Sequence, residues 1–318
     1  MIFPGSIKRS DFQFKISLAF VFVLLNVFVY LFSNILFKNW PAKSNYQEFK
    51  SKGFNLALGQ MYLQTLDSFE KKSIQHLDAN KLAQLAIKDQ VFWSKSVSFP
   101  FIGDSLQIDS VKAVLSQLKS DYQNSVQHQL GLGSTPTSPW AWVTYQFTHF
   151  SLLHLLSNLI FIFMIISYLE KKINMAWIST VYLLGGVGGG VGFLIFSQNN
   201  DLSVIGASGS VCALLSFLLV IKKNTLMPWT YFIAPIPGGY GEIYLPAFLI
   251  FPIYLIADFT SMLWEPTGIT TSVAHSAHIG GTITGLGLGV LFLVQNFFRS
   301  KASSHGIFSD DDGFNELP

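Results

Sequence analysis

Three short runs in this 318-residue chain carry side chains able to do chemistry. The run SLLHLLSN ends on Asn158 and holds His154 four residues earlier, so on a helix the two share one face. The run GASG presents Gly206 and Ser208 ahead of an apolar stretch, and AHIGGTITG sets His278, Gly281 and Gly285 three and four residues apart, again on one face. A hydroxyl and an imidazole with no carboxylate beside them form a nucleophile and general base. The imidazole takes the proton as oxygen attacks a carbonyl, then returns it to the leaving amine. Acyl transfer also needs donors where negative charge develops, and the Ser208 amide, His154 and the Asn158 side chain are the candidates. Each run has a plainer reading. His154 and Asn158 would join two helices by hydrogen bonds, Ser208 would cap a helix, and the glycines would form a packing seam beside an incidental histidine. A metal held by His149, His154, His275 and His278 is a further reading, but neither HExxH nor an intramembrane carboxylate cluster beyond Asp258 accompanies it.

The elements that position these residues are membrane-like. Half of the residues are hydrophobic and 12% are charged, against about 25% in soluble domains, and mean hydropathy is +0.42. A net charge of +2 gives no case for nucleic acid, and Cys212, the one cysteine, rules out an intrachain disulfide. Residues 38–141 hold 19 of the 38 charges, whereas residues 142–298 hold 9. A polar insert is thus flanked by apolar chain. Because about 20 apolar residues cross a hydrocarbon core, six helical spans are expected. They cover Ile16 to Phe37, Phe150 to Tyr168, Met175 to Phe196, Ser208 to Ile221, Ile243 to Trp264 and Ser272 to Val294. Lys8, Arg9, Lys15, Lys171, Lys172, Lys222, Lys223, Arg299 and Lys301 then fall on one side, which assigns both termini to the cytoplasm.

The span from Ser208 has 14 residues and is about 20 Å long, too short to cross, so its start lies below the outer surface at the end of a re-entrant segment from Gln198 to Ile205. Counted from the cytoplasmic boundary, His154, Asn158, Ser208 and His278 stand about 24, 18, 20 and 24 Å up. Residues that merely joined helices would have no reason to agree in depth; a single site requires it.

The chain divides into a cytoplasmic N-terminus (1–15), a first transmembrane helix (16–37), an extracytoplasmic loop insert (38–141), a core of five transmembrane helices (142–298) and a disordered cytoplasmic tail (299–318). Within the insert Val111, Val114, Leu115 and Leu118 form a helical stripe, and Gly131 to Pro139 reads as a linker. The Pro- and Gly-rich stretch from Met227 to Glu242 has no assignable role.

HxxxN, GxSG and AHxxGxxxG, in that order on the second, fourth and sixth spans, resemble the rhomboid family of intramembrane serine proteases. Trp140, Thr144, His149 and Glu170 extend the likeness, which runs over about Trp140 to Val294. The resemblance implies an all-α membrane protein with a six-helix bundle, a Ser208–His278 catalytic dyad, and His154 and Asn158 assisting the oxyanion. It implies no cofactor and no metal. Its substrate would be a transmembrane helix of another membrane protein, unwound locally and paired along Val204, Ile205 and Gly206 by its backbone. Membrane lipid is the other expected partner, in a setting that fits a bacterial cytoplasmic membrane; oligomeric state is open. The alternative is a catalytically silent relative that binds transmembrane helices. One departure stands out: Ala141 follows Trp140 where the family usually has arginine.

Overall fold

The computed structural model describes residues 2–4, 17–37, 51–133, 138–196, 203–222, 226–232, 240–246, 249 and 274–304. After a short strand β1 (Ile2–Pro4), helix α1 (Leu18–Leu36) exposes Phe20, Leu24, Phe28, Leu31 and Ile35 and turns Ala19, Phe22 and Asn26 inward. An exposed face this apolar is one that lipid covers.

Six helices follow: α2 (Lys52–Thr65), α3 (Ser68–Ile74), α4 (Ala79–Lys88), α5 (Gln90–Ser96), α6 (Ser105–Gln123) and α7 (Val126–Leu130). Each starts at a Ser or Asp, from Ser51 to Ser125, whose side chain accepts a first-turn N–H, which offsets the lack of helical partners there. The expected stripe is on α6. Val111, Leu115 and Leu118 are buried, and they pack with Leu58, Met61, Phe92, Trp93 and Tyr122 into a core separate from that of the long helices.

The chain then makes a short helix α8 (Ala141–Thr144) and a 3-10 turn (Tyr145–Phe147), followed by α9 (Leu152–Leu169), α10 (Met175–Phe196) and α11 (Ser208–Ile221). Every residue of α11 from Ser208 to Leu218 is buried. A helix apolar on all sides belongs at the centre of a bundle. Strands β2 (Leu226–Phe232) and β3 (Tyr240–Pro246) come next, then α12 (Ala274–Ser304). Among the described residues four helices, α1, α9, α10 and α12, are long and apolar enough to cross a membrane; α11 is apolar but shorter. The protein is a mostly helical membrane protein.

The structure amends four expectations. Purely α composition gives way to a small antiparallel sheet in the order β1-β2-β3, with Trp229 opposite Ile243 and Pro4 opposite Trp229. Much of the stretch without a role is therefore strand, rich in the aromatic and β-branched residues that favour a pleated surface. Ile243 to Pro246, expected to open the fifth span, belong to β3; apart from Leu249 the rest of that span, with Asp258, lies outside the described residues. The linker is not slack at its start, since Leu132 and Val204 exchange both backbone hydrogen bonds at 3.0 and 2.8 Å. Finally, α12 continues through Arg299 and Lys301 to Ser304, into the stretch expected to be a disordered tail, whose remaining residues 305–318 lie outside the described residues.

Candidate active site

Helix α11 begins differently from the helices of the insert. Its cap position is Ala207, which has no side-chain acceptor, and its first backbone bond runs from Val211 N–H to Ala207 C=O at 3.0 Å. The N–H groups of Ser208, Gly209 and Ser210 thus lack intrahelical carbonyls, at the positive end of the helix dipole. Ser208 is the first helical residue, so it does not cap α11.

Just upstream, Gly206 has φ +131 and donates its N–H to the Tyr145 carbonyl at 2.8 Å. A Cβ there would sit 2.8 Å from His154 Cε1, 3.1 Å from His154 Nε2 and 3.9 Å from Ser208 Oγ. The absent side chain therefore leaves a gap bounded by the imidazole of α9 and the hydroxyl of α11. Only glycine meets both the positive φ and the close approach.

His154 is held from below and from the side. Ser151 caps α9 by accepting the His154 N–H at 3.1 Å, and the His154 ring packs on Phe150 and His149 with centroids 4.4 and 5.0 Å apart. Asn158, fully buried, spends one of its two side-chain N–H groups on the His154 carbonyl at 2.8 Å. His149 precedes the helix. Burial, and secondly the His154 ring beside it, push its imidazole well below the usual range, so it stays neutral.

His278 reaches the same end of α11 through a seam of small residues. A Cβ on Gly281 would strike the Gly209 carbonyl, one on Gly285 the Ala213 carbonyl, and one on Gly289 the Val220 side chain. These matched steps mean that α11 and α12 run parallel with backbones nearly touching. Ala277 and Gly281 flank Gly209, so His278, one turn before Gly281, stands level with Ser208. Both side chains are buried, at 5% and 8% exposure, although no hydrogen bond joins them. The packing-seam reading is thus correct for the glycines, and the seam is what aligns the histidine. His275 is exposed, its ring 6.3 Å from that of His278.

Other residues of the site escaped sequence reasoning. Tyr145 holds Gly206 through its carbonyl and donates its hydroxyl to the Gly186 carbonyl. Gln146 accepts from the Ser210 hydroxyl at 3.2 Å and donates to the Trp142 carbonyl at 2.8 Å. Backbone acceptors leave no trace in residue type, and only the proximity of Tyr145 and Gln146 to His149 hinted at them. Along the segment expected to pair with substrate, Val204 has both backbone groups committed to Leu132 and Gly206 its N–H to Tyr145, while among the described residues the Ile205 backbone and the Gly206 carbonyl have no backbone partner. Among the described residues no group of three or more His, Cys, Asp or Glu is placed to hold a metal ion.

Comparison with known proteins bears on the same region. Residues 136–295, half of the chain, match the family model of the rhomboid domain. Rhomboid protease GlpG of Yersinia pestis (strain Pestoides F) is 30% identical over 174 residues, 55% of this chain and 52% of that protein. Rhomboid protease GlpG of Yersinia enterocolitica serotype O:8 is 29% identical over 181 residues, 57% of this chain and 55% of that protein. The chain spans about half the length of the curated relatives it matches.

Proposed function

The chain belongs to the rhomboid family, and from that premise we propose that it is an intramembrane serine endopeptidase whose nucleophile is Ser208 and whose general base is His278. The Ser208 oxygen attacks a peptide carbonyl while its proton passes to His278. That proton then goes to the leaving amine, and water, deprotonated by the same imidazole, releases the acyl group. The negative oxygen formed on attack is met by the Ser208 N–H, the Asn158 side-chain amide and His154. The observation that carries this reading is the uncapped start of α11. A buried hydroxyl stands there beside unspent amides, and His154 faces it across the gap at Gly206. A Ser208–His278 hydrogen bond forms when substrate excludes water, since such contacts tighten only in the bound complex.

The substrate is a transmembrane helix of another protein, because the site lies among membrane helices and an intact helix hides its carbonyls in its own bonds. It unwinds and pairs along Ile205 and the Gly206 carbonyl. We place six transmembrane helices around the site, the insert 38–141 on the outer face, and both termini in a bacterial cytoplasm.

Reconstitution with a single-pass substrate in liposomes tests this. Wild type yields two fragments, and Ser208→Ala yields none with thermal stability nearly unchanged. Equal cutting by Ser208→Ala would refute the assignment; helix binding without fragments in wild type would favour the silent relative.

A further inference from the structure

The insert helices lie outside the stretch that matches the rhomboid domain, yet they grip a segment inside it. Ser203 is 7% exposed, and all of its polar groups are held by the insert. Its N–H donates to the Tyr122 hydroxyl at 3.0 Å, its Oγ shares a second hydrogen bond with that hydroxyl at 3.0 Å, and its carbonyl accepts from Gln127 Nε2 at 2.6 Å. The next residue, Val204, is paired on both sides with Leu132. Glycine at 131 and 133 permits this approach, because a Cβ at either would lie 2.9 and 2.8 Å from Ser203 atoms. The grip is stiff at its root. Tyr122 is 1% exposed, set edge-on to Trp93 at 5.6 Å in the insert core, and its carbonyl accepts the Ser125 hydroxyl at 2.6 Å.

Ser203 and Val204 directly precede the Ile205 and Gly206 backbone, and Ser208 follows two residues later. With Val204 locked to Leu132, the opposite edge of the segment is presented at a height fixed by the insert. We infer that the helical insert, through Tyr122, positions the 203–206 edge on which an extended substrate pairs, making Tyr122 a positioning residue for cleavage of polypeptide substrates. This rests on the protease reading. The grip differs from a passive cap in one respect: loosening it spoils alignment of a long substrate and leaves the chemistry at Ser208 intact.

Tyr122→Phe in the full chain removes the hydroxyl and little else. Two readouts separate the inference from the reading beneath it. Hydrogen exchange at Ser203 and Val204 should speed up at least tenfold in Tyr122→Phe, with no change in the second half of α11. Turnover of a transmembrane substrate should fall on the order of tenfold, the scale of one buried donor left without its partner, while labelling of Ser208 by a small fluorophosphonate stays within about twofold. Gln127→Ala, at a half-buried position, should show the same split to a lesser degree and serves if Tyr122→Phe does not fold. Unchanged exchange at Ser203, or cleavage and labelling that fall together, overturns the inference. Absence of Ser208 labelling in wild type instead overturns the protease reading, and the grip is then decided by exchange alone.

Discussion

Ser51 and Ser208 both stand at the start of a helix, but one position separates their roles. Ser51 precedes α2 and accepts from Phe54 N–H, whereas Ser208 is inside α11 and Ala207 holds the cap position without an acceptor. That shift frees a hydroxyl and its amides together. His154, Asn158, Ser208 and His278 could be picked out because each brings a polar group to an apolar span and their depths agree. Tyr122 was not singled out: it lies one turn beyond Leu118 of the expected stripe, and the partner of its hydroxyl lies 81 residues away, beyond any local pattern. His149 supplies a test at this scale. Its folded imidazole resists protonation, so below about pH 6.5 the unfolded chain binds the proton more readily and stability drops as pH falls through that window. Thermal unfolding in detergent should therefore show a lower midpoint at pH 5 than at pH 7.5, and His149→Asn should flatten the difference.

Helix α1 illustrates what spacing reveals about an element and what it hides. Its limits follow from an apolar run between polar ends, but the Ser17 side chain does not cap it. Glu170, at the end of α9, does so instead: one carboxylate oxygen accepts the Ser17 hydroxyl and the other the Leu18 N–H, each at 2.8 Å. A start and an end meeting in this way make α1 and α9 antiparallel neighbours. A negative group at a helix N-terminus also complements the dipole. Glu170→Ala should cost about 1 to 2 kcal/mol and Glu170→Gln less than half of that, read as unfolding midpoints by intrinsic fluorescence. The sheet was not legible because its strands are assembled from Ile2–Pro4 and a strand pair more than 220 residues on, and the stretch 243–246 is apolar enough to pass for the entry to a span.

At the scale of the molecule, two separate cores are joined, among the described residues, around the segment that leads into α11. The insert packs Trp93, Leu115 and Tyr122 as a small soluble domain does, while α10 to α12 pack small residues against backbone as membrane helices do. Their junction, Leu132 against Val204 and Tyr122 against Ser203, falls beside the gap at Gly206. On this account the seam of α11 and α12 exists to bring an imidazole level with a hydroxyl. Covalent labelling by a fluorophosphonate, with the modified residue located by peptide mass, examines that pairing directly. The account predicts modification at Ser208 in wild type, none in Ser208→Ala, and a rate at least about 100-fold lower in His278→Ala. Modification of another residue, or a His278→Ala rate equal to that of wild type, would contradict it.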